Sequence, residues 1–168
     1  ESFEFTARGV ELGTLPRIEL IQISATDISH YSTPGGTVSL HDGTAEITIT
    51  EGDMNCALSA INIDRVTDLK LRTYRDQISI SGKQKLGPLA IAFSLKGTLQ
   101  VESGSRLQMT DTSLEVAGLI PMPAIAANYV RDELNKWLGE MTDTARMSIP
   151  VTYRIVKLEP GRVMVSSH

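Results

Sequence analysis

With 168 residues, 41% hydrophobic and 21% charged, the chain reads as one globular domain spanning 1–168, with a single sizeable core, and falls outside the disordered class. A net charge of −4 and an aromatic content of 5% argue against nucleic acid as a partner, since nothing global attracts phosphates and few rings could stack bases. One cysteine excludes an internal disulfide, no Cys or His spacing suits zinc, and no cofactor is expected.

Residues 1–14 alternate weakly through Phe3, Phe5 and Ala7 and fit an edge strand or a loose arm. The run from Leu15 to Ile28 predicts a strand ended by a turn at Ser32-Thr-Pro-Gly-Gly36. Thr37 to Thr50 predicts a hairpin about Asp42-Gly43, a type I′ turn signal, with Leu40 opposite Ala45 and Val38 opposite Ile47. Thr50 followed by Asp53 matches a capping box, and Met54, Ala57, Leu58 and Ile61 recur at helical spacing behind it. Cys56 in that helix is expected to be buried, as free cysteine usually is.

From Val66 to Val116 large apolar residues alternate with small or polar ones. Leu69, Leu71, Ile78, Ile80, Leu89, Ile91, Phe93, Leu95, Leu99 and Val101 fall on one face, and Lys70, Arg72, Ser79, Ala90, Ala92 and Ser94 on the other. A hairpin about Tyr74-Arg-Asp-Gln77 would oppose Leu71 to Ile80 and Thr73 to Ile78. Leu89 to Val101 holds one phase, which predicts a strand about 43 Å long, and Gly97 within it permits a bend or a close approach. Leu107 and Met109 keep the odd phase while Leu114 and Val116 are even, so a bulge is expected near Asp111-Thr-Ser113.

Pro121 and Pro123 open a second helix running to about Gly139, with Ala126, Ala127, Val130, Leu134, Trp137 and Leu138 as its apolar stripe. Ile149, Val151, Tyr153 and Ile155 alternate into a closing hairpin through Glu159-Pro-Gly-Arg162. The order predicts an α+β fold: a long curved antiparallel sheet of meander and hairpins wrapped around one longer helix, plus a short helix.

Catalytic motifs are absent from this pattern. His30, His41 and His168 have no second ligand at helical or hairpin spacing, and Asp64, Arg65 and Asp68 read as a solvated loop. No Gly-x-Ser-x-Gly elbow surrounds a serine, and neither Gly35-Gly36 nor Gly82–Gly87 has phosphate-loop spacing. Residues 65–85 carry a basic bias through Arg65, Lys70, Arg72, Arg75, Lys83 and Lys85. Arg65, Lys70, Arg72 and Arg75 are the candidate head-group contacts, against the alternative of an ordinary solvated face.

Thr50-Glu-Gly-Asp-Met-Asn55, Val66-Thr-Asp-Leu-Lys-Leu71, Gly118-Leu-Ile-Pro-Met-Pro123 and Glu159-Pro-Gly-Arg162 resemble the LmeA-like phospholipid-binding family over roughly residues 45–166. The resemblance implies an extracytoplasmic bacterial protein, tethered by an upstream hydrophobic segment, whose sheet wraps a helix and encloses an apolar lipid cavity. Its implied shape is similar to half of a tubular lipid-binding module. No apolar run here reaches the ~20 residues that span a bilayer, and the chain opens on Glu1, so any signal or anchor is expected upstream. The expectation is non-enzymatic binding of a lipid or membrane surface. Leu69, Leu71, Ile78, Ile80, Leu89, Ile91, Phe93, Leu95, Val130, Leu134, Trp137, Leu138, Ile149, Val151 and Tyr153 would line the cavity. The rival expectation is a scaffold domain with a closed core that self-associates through an open sheet edge or binds a protein partner.

Overall fold

A computed structural model describes residues 2–11, 16–30, 38–117, 124–143 and 152–167. The elements in order are β1 (Phe3–Val10), β2 (Ile18–His30), β3 (Val38–Thr50), α1 (Glu51–Ser59), β4 (Val66–Tyr74) and β5 (Gln77–Leu86). They continue as β6 (Leu89–Glu102), β7 (Arg106–Ala117), α2 (Ala124–Thr142), β8 (Ile155–Glu159) and β9 (Arg162–Ser166). The fold is α+β, and its antiparallel strands divide into two sheets, ordered β1-β2-β3-β9-β8 and β4-β5-β6-β7. The closing hairpin joins the N-terminal strands through β3–β9 pairing, with Ile47 opposite Val165 and Ile49 opposite Val163. It does not extend the meander, so the single curved sheet expected from chain order becomes two.

The hairpin expected at Asp42-Gly43 does not form. Residues 38–50 make one strand that pairs with β2 throughout, with Leu40 opposite Ile28, His41 opposite Asp27 and Gly43 opposite Ala25. A turn there would leave two short arms, whereas the long strand finds a ready partner in β2; ladder pairing overrides the local dipeptide signal. The turn expected at Ser32–Gly36 lies outside the described residues, as do Pro121, Pro123, Ile149, Val151 and His168. Residues 3–10 form an edge strand on β2.

In the four-stranded sheet the β4–β5 hairpin has the expected register, Leu71 opposite Ile80 and Thr73 opposite Ile78. Its outer strands each carry one extra residue. On β4 the register shifts between Thr67 and Lys70, opposite Gly82; on β7 it shifts at Asp111-Thr112, opposite Gly97, where the phase change predicts a bulge. Asp68 and Asp111 both adopt positive φ, 58° and 50°, a conformation aspartate tolerates better than most residues.

Both helices seal an edge of this sheet. Thr50 caps α1, its Oγ1 accepting from Asp53 N–H at 3.1 Å and donating to Asp53 Oδ2 at 2.6 Å. From α1 the Asn55 carboxamide accepts from Leu71 N–H at 2.8 Å and donates to Leu71 C=O at 2.9 Å, while Glu51 Oε2 accepts from Thr73 N–H. From α2, Asn135 makes the same fork to Met109, and Thr142 Oγ1 accepts from Leu107 N–H. Strand edges that would invite a second chain are thereby occupied. Met54 and Leu58 are the buried residues of α1. Cys56 is exposed, contrary to expectation, because it sits about 200° around the helix from Met54.

The core is one cluster shared by both sheets and both helices, running from Ile18 and Ile47 through Leu71, Ile80 and Phe93 to Leu134 and Leu138. Helix α2 extends to Thr142, one turn beyond the expected Gly139.

Candidate functional site

Three surfaces could carry function: the apolar seam between the sheets and α2, the outer face of the four-stranded sheet, and a groove on the outer face of the five-stranded sheet.

Alternation along β4–β6 turns Leu71, Ile78, Ile80, Ile91, Phe93 and Leu95 inward, and all are buried. Val130, Leu134 and Leu138, spaced at four, bring one stripe of α2 into the same interior, with Tyr153 buried and Leu69 and Trp137 packed at its margin. Burial, with a smaller contribution from the Asp143 charge, raises the Tyr153 phenol above its ordinary range. Leu89 departs from the expected lining set: it is 50% exposed at the β5–β6 tip, opposite Leu86 and beyond the reach of the opposing layer.

Two polar groups stand out in this interior. Asp143, buried just beyond α2, accepts from Arg106 Nε at 3.1 Å and Nη2 at 3.0 Å, which ties the helix end to β7. Gln84 lies on the inward phase of β5, and its Oε1 is buried without a hydrogen-bond partner. Such an orphaned acceptor costs about 1–3 kcal/mol.

The outer face of the four-stranded sheet gathers the basic residues. Lys70 and Arg72 stand on it, beside Ser81 and Ser79 of β5. The other two candidate head-group residues do not join them on that face. Arg65 occupies the turn before β4, at φ 61° and paired with Asp64, and Arg75 occupies the β4–β5 turn at the opposite end. Lys83 and Lys85 of β5 and Lys96 of β6 complete the face instead. Lys83 holds Asp68 at 2.9 Å, and that hydrogen bond and charge lower the Asp68 pKa.

The groove, about 970 Å³, lies on the outer side of β2, β3 and β9. Arg8, Arg75, Lys157 and Arg162 line it, balanced by Glu19, Glu46, Asp76 and Glu159. Hydrogen bonds from Lys157 and Arg162 pull the Glu159 carboxyl down to about 2. With its cations matched one for one, the groove has no net attraction for an anion.

A family model described as LmeA-like phospholipid-binding matches residues 1–167. The chain belongs to that family. No curated protein and no solved structure matches it. Membership in the LmeA-like family thus covers β1 and β2 as well as the segments that first suggested it. No described helix is long and apolar enough to cross a membrane.

Within this LmeA-like chain, sequence reasoning brought together the seam residues of β4–β6 and α2, whose phase is written locally. Gln84 was not among the expected lining residues, although its even-numbered place in line with Ile78 and Ile80 marks it as inward. Sequence reasoning also missed Lys96, whose partnership with Arg72 across Ser79 needs two registers at once.

Proposed function

We propose that this chain is a non-enzymatic phospholipid-binding protein of the bacterial envelope, acting outside the cytoplasm in lipid transport or envelope maintenance. Acyl chains would enter between the four-stranded sheet and α2, in a shape similar to half of a tubular lipid-binding module. The observation that carries this reading is the continuous apolar interior shared by both sheets and α2.

The helix packs chiefly along β7, the outermost strand. Moving it outward would open a wall of Leu95, Leu99, Leu107 and Met109 on β6 and β7 without breaking either sheet. The orphaned Gln84 Oε1 gives the interior one acceptor, suited to a hydroxyl or ammonium of a head group. A non-enzymatic role is supported by the work the buried polar groups already do: Thr73 accepts from Gly161 N–H, Thr142 bonds β7 and its own helix, and Asp143 holds Arg106.

Native mass spectrometry after gentle purification tests the reading, together with Trp137 emission during titration with a monomeric short-chain phospholipid. Trp137 is the single tryptophan and lies at the seam margin. Copurified phospholipid and a saturable emission change are expected; absence of both overturns the proposal. Gln84→Leu should retain or gain stability yet bind a hydroxyl-bearing phospholipid about fivefold more weakly.

A second reading, the self-associating scaffold, draws on one observation. The outer edge of β1 is unpaired within its sheet, and Phe3 and Phe5 there are 38% and 45% exposed. Concentration-dependent dimerisation abolished by Phe5→Lys, without any lipid binding, would favour it.

A further inference from the structure

An acidic chain here carries a basic plane. Toward the β5–β6 tip, the outer face of the four-stranded sheet presents Lys70, Arg72, Lys83, Lys85 and Lys96. Two carboxylates answer them: Asp68, 2.9 Å from Lys83, and Glu115, 2.7 Å from Lys96. Lys70, Arg72 and Lys85 have no ion-pair partner among the described residues. Five cations against two carboxylates give the patch +3 in a chain of net −4, which leaves −7 for the remainder. That asymmetry orients the molecule in the field of any anionic surface.

The shape of the patch narrows the partner. Among the described residues, Ser79, Ser81, Ala90, Ala92 and Ser94 stand between the cations, with Thr67 beside Lys83, and none of these side chains is bulky. From Lys85 to the row of Arg72 and Ser79 it runs about 20 Å. One row farther the sign reverses, where Thr98 donates to Asp111. At the basic end the tip places exposed Pro88 and half-exposed Leu89 beside Lys85. A flat cationic plane with an apolar point at one end fits a bilayer, where cations stay at the phosphates and a leucine enters the interface. The exposed ring of Tyr74 stands one row beyond Arg72, at the end away from the tip, and the plane itself offers nucleic acid neither a ring between its cations nor a groove-reading element.

We propose that this face docks on an anionic phospholipid bilayer, with the β5–β6 tip lowered into the head-group layer. The proposal rests on the phospholipid-binding reading and adds the surface from which lipid is taken. In that orientation Gln84, the inward neighbour of Lys85, lies at the membrane end of the seam.

Vesicle flotation tests it, comparing mixed phosphatidylglycerol–phosphatidylcholine vesicles with phosphatidylcholine alone. Binding is expected to the mixed vesicles, falling steeply with salt, and to be weak on the neutral ones. Each basic side chain near such a surface strengthens binding about fivefold, so Lys70→Glu with Arg72→Glu should weaken it at least ~25-fold. Leu89→Ser should weaken it several-fold and leave the salt dependence unchanged, and Lys136→Glu, exposed on α2, should change little. Lys70 and Arg72 face away from the seam, so the doubly reversed variant should still show the Trp137 response to monomeric phospholipid. Should reversal impair folding, Lys70→Ser with Arg72→Ser and the salt series on the unaltered protein measure the same electrostatic contribution. Salt-independent binding, equal binding to neutral vesicles, or no effect of reversal would overturn the docking face and leave the phospholipid reading standing. Loss of the monomer response in the unaltered protein would overturn that reading instead.

Discussion

A methyl group at Gly97 would lie 2.6 Å from the Thr110 carbonyl oxygen and 2.7 Å from Met109 Cγ. The β7 bulge sits directly opposite, so the extra residue occupies space that any other side chain would need. Gly97→Ala should therefore cost about 1–3 kcal/mol in urea denaturation, because a backbone oxygen cannot rotate aside. Gly82→Ala meets side-chain atoms of Leu69 and Phe93 at 3.0 Å and should cost less. At Glu159 the relevant variable is pH. Its carboxyl is held at about 2, below its ordinary 4.5, so its share of stability is present above pH 4.5 and lost as pH falls toward 2. An NMR titration should place Glu159 at about 2, and Glu159→Gln should flatten that part of the acid stability profile. These residue-level effects differ in legibility. The unbroken phase along β6 marks Gly97 as inward, whereas the turn signal at Glu159-Pro-Gly-Arg162 predicts only that Arg162 comes opposite Glu159, and Lys157, two residues back on the same face of β8, joins them through side-chain placement.

Elements in this chain are held as much by their edges as by their faces. The Asn135 fork supplies both a donor and an acceptor to Met109, at 3.3 Å and 3.0 Å, on a strand with no strand neighbour on that side among the described residues. Asn135→Ala should destabilise the protein by about 1–3 kcal/mol and raise amide exchange at Met109 before the rest of β7. Helical projection places Asn135 outside the apolar stripe, which makes it look like a solvent-facing residue. Its task becomes visible only when a strand edge lies beside that flank of the helix. Strand existence, by contrast, was legible wherever alternation was long, as in β4–β6. The bulge near Asp111 was legible too, since a phase change from odd to even within one strand has few other physical causes. Asp42-Gly43 misled because a turn dipeptide expresses only what four residues prefer, while thirteen residues of β3 had β2 to pair with.

At the scale of the whole molecule, two sheets share one core, with Ile47 and Val163 from one and Ile80 and Phe93 from the other in the same cluster. Neither sheet buries its apolar face without the other, so unfolding should be a single transition. Far-UV circular dichroism and Trp137 fluorescence should give the same urea midpoint; separate midpoints would mean that the sheets are independent units. The same arrangement sorts the candidate sites. Inward alternation sends the apolar set to the seam, and outward alternation sends Lys70, Arg72, Lys83, Lys85 and Lys96 to a common plane. The sequence by itself determined the strand phases, the β4–β5 and β8–β9 turns, the Thr50 cap and the apolar stripe of α2, because each depends on residues close along the chain. Tertiary structure alone decided that β9 pairs with β3, that Leu89 is exposed, and which cations share a face. Those outcomes depend on which distant segments win a partner, a competition among edges and faces that no short stretch of the chain encodes.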